Sequence, residues 1–217
     1  EYLYYRDTGE EIKLENWGVL GEGAFGVVYY YLGKNPSTGV EYKIAVKEFK
    51  SPDTKDATSE IEIIDKVYKK GLCNLINARV IRYIFEESIK TVIIMDVAKD
   101  NLQHILADTA ITSGVTIHDI EKKLVKTLYC LYMKNVYYLD LKAENVLYKV
   151  NGDGSYKILL GDLGGLCGGI TGDNMGLSTF NYMNKKMLDC RDDNDKQIEK
   201  TIIYGILIII VQLMWRK

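Results

Sequence analysis

Apolar and polar positions along the chain fall into blocks with two different periods. Residues 17–20 and 27–32 are apolar and β-prone and flank the run GEGAFG at residues 21–26, so two strands joined by a glycine-rich turn are predicted. Residues 34–39, KNPSTG, form a turn cluster, and residues 42–49, YKIAVKEF, predict a third strand. Residues 59–70 then switch to helical spacing through Ile61, Ile64 and Val67 or Tyr68. Two more strands are predicted at 79–85 and 91–97, and a short helix at 100–106. A long helix begins at Thr116, with Asp119 three residues on as a capping-box pair and an apolar stripe through Ile120, Leu124, Leu128 and Leu131. Beyond it a polar interruption, VYYLDLKAEN at residues 136–145, leads to two short strands and then to GDLGG at residues 161–165.

That interruption carries the chemistry. Asp140, Lys142 and Asn145 are close enough in sequence to share one loop, and Asp162 follows an apolar run at 158–160 that can return a second carboxylate to the same place. Such a group can orient a hydroxyl, neutralise phosphate and hold magnesium. The glycine-rich turn exposes amide donors to an anion, but a plain hairpin and a dinucleotide fingerprint share its spacing. The dinucleotide reading requires a helix directly after the glycines, whereas Val27, Val28, Tyr29, Tyr30 and Tyr31 continue as strand. A lysine such as Lys47 in an isolated strand is ordinarily solvated. The NGDG run at 151–154 fails as a calcium loop, because Tyr156 stands where the sharp turn requires glycine, and it reads as a hairpin turn.

Taken together, GEGAFGVV, the AVK of Ala45, Val46 and Lys47, DLKAENVL and the DLG of residues 162–164 occur in one order and resemble the eukaryotic-type protein kinase family. They match its GxGxxGxV, VAIK, HRDLKxxN and DFG patterns. The resemblance implies an α+β, two-lobed protein-kinase-like fold across residues 1–217 as one domain. A small antiparallel β amino-terminal lobe occupies about 12–98, and a mainly helical, truncated carboxy-terminal lobe about 99–217. It implies transfer of the γ-phosphate of ATP, with magnesium, to serine or threonine hydroxyls of a protein substrate, the lysine of DLKxxN being that of the serine/threonine subgroup. The alternative in this fold is a catalytically idle pseudokinase that regulates or decoys a partner.

The same resemblance assigns residues. The backbone amides of Gly21, Glu22, Gly23, Ala24, Phe25 and Gly26 would cover the phosphates, flanked in the same nucleotide site by Leu20 and Val27, and Lys47, held by Glu60 or failing that Glu62, would fix them. Val28, Ala45 and Leu147 would line the adenine pocket, Met95 would gate its back, and Asp96, Val97 and Ala98 would offer backbone groups to the base. Asp140 would take the acceptor proton, Lys142 would contact the γ-phosphate, and Asn145 and Asp162 would bind magnesium. Residues 178–187 resemble GTxxYxAPE, with Thr179 and Tyr182 aligned and Asn184, Lys185 and Lys186 replacing Ala, Pro and Glu. Tyr138 and Leu139 replace the histidine and arginine before Asp140, so activity should not depend on a phosphate docked on that arginine. Lys200 beside Glu199 replaces the acidic residue near the start of the last helix. Absence of both Lys186's usual glutamate and the final helices removes both sides of one ion pair. Such compaction suits a viral or parasitic genome, or a partner that completes the lobe.

Composition narrows the surroundings. With 47% hydrophobic residues in 217, the chain can bury a sizeable core. A formal charge of −2, from 28 basic and 30 acidic residues, favours neither nucleic acid nor anionic membrane. Cys73, Cys130, Cys167 and Cys190 show no metal-ligand spacing and read as reduced thiols, and the charged, tyrosine-rich amino terminus is not a signal peptide; a cytoplasmic protein is expected, in the host cytoplasm if viral. Residues 201–215 are almost wholly apolar but short for a membrane anchor, so they read as a buried core helix.

Overall fold

The computed structural model describes residues 2–4, 11–23, 25–35, 37–51, 54–70, 73–85, 87–107, 117–168 and 195–214. Ala24, Thr116, Thr179, Tyr182, Asn184, Lys185, Lys186, Cys190 and Trp215 lie outside the described residues. The chain divides into two compact units, one from Glu1–Tyr68 and Asn77–Val97, the other from Lys69–Ile76 and Ala98–Lys217.

The first unit is built on an antiparallel sheet of β1 (Tyr2–Tyr4), β2 (Glu11–Glu22), β3 (Gly26–Lys34), β4 (Glu41–Phe49), β5 (Ala78–Phe85) and β6 (Ser88–Asp96), ordered β1-β2-β3-β4-β6-β5. The edge strand β1 was not anticipated from the tyrosine-rich start. Strand alternation sorts the side chains onto two faces. On one face Leu14, Tyr31, Ile44, Val46, Val92 and Ile94 form a buried cluster, with Tyr29 and Ile81 packed on it. On the other, the register aligns Val28 with Lys47 and Ile93, and Tyr30 with Ala45 and Met95. Two irregularities in β2, between Asn16 and Gly18 and between Val19 and Gly21, insert Trp17 and Leu20 as extra, exposed residues. Such bulges increase local twist where β2 approaches the glycine-rich turn.

Helix α1 (Lys55–Lys70) starts four residues before the predicted position. Thr54 explains the earlier start: its Oγ1 accepts from the Ala57 amide and its carbonyl from the Thr58 amide. The buried face runs through Ala57, Glu60, Ile63 and Ile64, not through Ile61 as its spacing suggested. A glutamate occupies one core-facing position, which breaks the apolar period.

The second unit holds β7 (Asp100–Asn101), α2 (Leu102–Ala107), α3 (Ile117–Tyr132), β8 (Val136–Tyr138), β9 (Val146–Val150), β10 (Tyr156–Leu160), β11 (Leu166–Gly168) and α4 (Asp195–Met214). A three-stranded sheet runs β10-β9-β7, and β11 pairs with β8. The expected stripe of α3, Ile120, Leu124, Leu128 and Leu131, is buried. The β9–β10 connection is the expected hairpin, closed by the Asn151 amide on the Ser155 carbonyl, with Gly154 at φ +80°.

Two expectations are corrected here. Cys73 and Cys130 are not separate reduced thiols but form a disulfide across 57 residues. Helix α4 is core on one side only: Gly205 packs on Leu141 and Ile209 is buried, while Ile203, Tyr204, Leu207 and Val211 are exposed. Its composition is apolar all round, and contact alone selects the inner stripe. Among the described residues no helix is long and apolar enough to cross a membrane.

Candidate functional site

In the first unit the glycine-rich turn joins β2 to β3. The Gly23 amide donates to the Gly26 carbonyl at 2.9 Å, and the Lys50 amide to the Phe25 carbonyl at 3.1 Å. Gly26 lies so close to β4 that a β-carbon there would collide with the Glu48 carbonyl oxygen, so packing itself requires the glycine. Gly21 and Gly23 are different: a β-carbon at either meets nothing within 4 Å. Leu20 and Phe25 are exposed, and the exposed pair Lys50–Glu22 holds the Glu22 carboxyl below its usual range, chiefly by hydrogen bonding.

From the sheet face that also carries Val28, Ala45 and Met95, Lys47 reaches α1. Its Nζ donates to Glu60 Oε1 at 2.6 Å and Oε2 at 2.7 Å, with the two side chains 13% and 4% exposed. Glu60, and not the fallback Glu62, is the acidic residue that meets this lysine. The Phe49 ring lies 5.7 Å from the same ammonium. Asp96 spends its own amide on the Asn77 carbonyl at 3.0 Å and pairs with Ile44 at the end of the β4–β6 ladder.

In the second unit the chain leaves β8 at Tyr138 and passes through Leu139 to Lys142 into a 3₁₀ turn, Ala143–Asn145, before β9. Asp140 and Asn145 are buried although both are polar. A buried carboxylate must be hydrogen-bonded. Asp140 Oδ2 accepts from Lys142 Nζ and from Asn145 Nδ2, each at 2.8 Å, and Asn145 Nδ2 also reaches the Asp140 carbonyl at 2.9 Å. One amide therefore ties backbone and side chain of the aspartate together.

Asp162 arrives from β10. It stands at φ +45°, exposed, at the mouth of a 3₁₀ turn, Leu163–Gly165. Its neighbour Gly161 donates to the Asn145 carbonyl at 2.8 Å, and the Leu139 amide donates to the Gly165 carbonyl at 2.8 Å. A β-carbon on Gly165 would sit 2.9 Å from the Asp140 β-carbon, and one on Gly161 2.7 Å from the Leu147 side chain. Both glycines let the two loops lie flush. The Tyr138 hydroxyl donates to the Gly161 carbonyl and lies 3.3 Å from the Asp162 carbonyl. The sequence, where Tyr138 stands in place of a histidine, did not announce this bond. The available signal was the hydroxyl itself, since a buried tyrosine needs a partner for its O–H.

Asn145 and Asp162, the residues expected to bind magnesium, stand on two loops that the Gly161 amide ties together through the Asn145 carbonyl. Among the described residues no group of three or more His, Cys, Asp and Glu side chains could hold a metal.

A lysine on an antiparallel sheet clasped by a helix glutamate, with a buried aspartate in a loop secured by lysine and asparagine, is the architecture of a protein-kinase-like fold. The sequence model of the protein kinase domain family matches residues 14–217, and the chain belongs to that family. It is 28% identical over 130 residues to serine/threonine-protein kinase TIO of Arabidopsis thaliana, covering 59% of this chain and 9% of that protein. It is 30% identical over 155 residues to dual specificity tyrosine-phosphorylation-regulated kinase 2 of Drosophila melanogaster, covering 69% and 20%. Myosin light chain kinase A of Dictyostelium discoideum is 30% identical over 134 residues, covering 60% and 43%. The chain spans less than half the length of each of these relatives.

Proposed function

We propose that residues 1–217 form a single, catalytically competent kinase domain, its lobes at about 12–98 and about 99–217, that transfers the γ-phosphate of ATP to serine or threonine hydroxyls of a protein. The observation that carries the reading is the buried Asp140 carboxylate fixed by Lys142 and Asn145. A carboxylate held in one orientation can align an acceptor hydroxyl and take its proton as the oxygen attacks phosphorus. Phosphoryl transfer asks little more of a protein than such positioning and charge neutralisation.

The other residues divide the remaining work. Lys47, kept in place by both oxygens of Glu60, presents an ammonium to the α- and β-phosphates. Gly21 and Gly23, with open space where side chains would stand, let backbone amides approach the phosphate chain. Val28, Ala45 and Met95 offer an apolar surface to the base on the same sheet face as Lys47. Lys142, beside the aspartate, brings positive charge to the group in transit. Magnesium, when bound, neutralises charge developing on the transferred phosphoryl, and Asn145 Oδ1 and the exposed Asp162 carboxylate are the donors suited to hold it. Asn145 donates to Asp140 through Nδ2, which turns Oδ1 away from that carboxylate and leaves it suited to a cation.

Serine/threonine specificity is supported by Lys142 within DLKAEN and by similarity to serine/threonine-protein kinases such as that of Arabidopsis. The test is transfer of labelled γ-phosphate, with magnesium, to peptides bearing serine, threonine or tyrosine as the sole hydroxyl. Label on serine or threonine is the expected result. Label confined to tyrosine overturns the acceptor class, and nucleotide binding with no transfer favours the idle, partner-binding module.

A further inference from the structure

We propose that the Cys73–Cys130 bond is a thiol–disulfide switch that sets how firmly the loop carrying Asp162 is held. The bond joins a short segment, residues 73–76, to the last turn of α3. The described hydrogen bonds of this segment run to two places, α3 and the end of β10. Asn74 donates through Nδ2 to the hydroxyl of Thr127, fully buried and one turn before Cys130 on α3. The Asn74 carbonyl accepts from the Leu160 amide at 3.0 Å, and the Ile76 amide donates to the Leu160 carbonyl at 2.8 Å. Leu75 lies between them, bridged in parallel to Leu160. Both backbone polar groups of Leu160 are thus spent on this segment, two residues before Asp162.

From its other side, the same stretch is held by Gly161, through its amide on Asn145 and its carbonyl on the Tyr138 hydroxyl. Asp162 itself occupies the left-handed region, which is less favoured for a residue with a β-carbon, although aspartate is among those that enter it. Of the ties from residues 73–76 to α3, the disulfide is covalent and the Asn74–Thr127 hydrogen bond is not. Cutting the covalent tie leaves that hydrogen bond and the burial of Leu75 and Ile76 to anchor the segment paired with Leu160, and local opening becomes easier.

Cys73 and Cys130 are both partly exposed, within reach of a small dithiol. A thiolate of such a reductant attacks one sulfur and breaks the S–S bond through a mixed disulfide. Its second thiol resolves that intermediate, so two cysteine thiols and one oxidised reductant result. In a compartment rich in thiols the bond is open, and in an oxidising one it is closed. The bonded form is the one in which Asp162 is held, so oxidation raises transfer. The kinetic part of this inference rests on the phosphotransfer reading above, whereas the conformational part does not.

The experiment uses the full chain in oxidised and reduced glutathione buffers, with dithiothreitol as the strong reductant. It follows alkylation of Cys73 and Cys130 by mass spectrometry, hydrogen exchange of the Ile76, Leu160 and Gly161 amides, and phosphate transfer. Reduction is expected to speed exchange at those three amides by about tenfold or more, to leave the β3–β4 ladder unchanged, and to slow transfer, all restored on reoxidation. The double variant Cys73→Ser/Cys130→Ser should behave as the reduced protein in both buffers. Alkylation of both thiols under oxidising conditions overturns the proposal, as does exchange that is identical in the two states. Loss of protection throughout both units would make the bond a general staple and equally overturn the switch. Altered exchange with equal transfer rates would sever the link to Asp162. Altered exchange with no transfer in either state would leave the switch standing and refute the phosphotransfer reading instead.

Discussion

Replacing Lys47 by methionine keeps most of the stem but removes the cation that meets Glu60 at 2.6 and 2.7 Å. The glutamate is 4% exposed, so water cannot take over that role without opening α1 from the sheet. Breaking a buried pair from one side costs about 3–5 kcal/mol, far more than the pair contributes relative to an apolar one. With a urea slope of about 2 kcal/mol per molar, Lys47→Met should lower the unfolding midpoint by roughly 1.5–2.5 M. Lys47→Met/Glu60→Leu removes both charges and should regain at least half of that loss, because no carboxylate is then left against the core. Phosphate transfer follows the opposite logic: it should be lost in both variants, since stability returns without the ammonium. Urea unfolding, followed by tryptophan fluorescence, and labelled-phosphate transfer read the two effects separately. A single variant as stable as the parent would refute the buried-pair argument, and a double variant that regains transfer would refute the role of Lys47.

Other consequences are as concrete. Gly26→Ala drives a β-carbon into the Glu48 carbonyl and should cost about 1–3 kcal/mol, whereas Gly21→Ala meets open space and should leave stability within about 0.5 kcal/mol while weakening nucleotide binding, measured by calorimetry. The Tyr156 hydroxyl is buried without a hydrogen-bond partner among the described residues, so Tyr156→Phe should be neutral or stabilising by about 1 kcal/mol in the same unfolding assay. Burial, with Asp119 nearby, also raises the Tyr156 pKa above the usual phenol value of 10.0. Its contribution is therefore intact below the unfolded-state value and lost as pH rises through the folded one, and the parent should lose stability above about pH 10 more steeply than the phenylalanine variant. Leu139 offers no cation to a phosphorylated loop, so phosphatase treatment should leave transfer nearly unchanged; a large loss in a parallel kinetic assay would contradict that.

What could be read from the chain, and what could not, follows from the range of the interactions. The β2–β3 and β4 strands and the loop at residues 136–145 are written in contiguous runs, where glycine, alternation and clustered polar residues act over a few positions. The start of α1 escaped because Lys55, Asp56 and Thr58 are polar and the decisive cap is a single threonine, Thr54. Its buried face escaped because Glu60 sits among apolar neighbours at a core position, where chemistry overrides periodicity. The hydroxyl bond from Tyr138 to Gly161 spans 23 residues and the disulfide from Cys73 to Cys130 spans 57, and no local pattern announces either. Helix α4 shows a different limit: with isoleucine, leucine and valine on every side, composition could not say which stripe meets Leu141.

The most direct measurement is the single-turnover rate of γ-phosphate transfer at saturating ATP and magnesium, for the parent and for Asp140→Asn, with nucleotide affinity measured on both. The asparagine keeps the shape of a side chain that is 7% exposed and hydrogen-bonded to its loop, but it cannot accept the acceptor proton. A fall of about 10²–10⁴ in rate with affinity preserved is the predicted result. Equal rates in the two proteins would contradict the central claim that Asp140 performs the proton transfer.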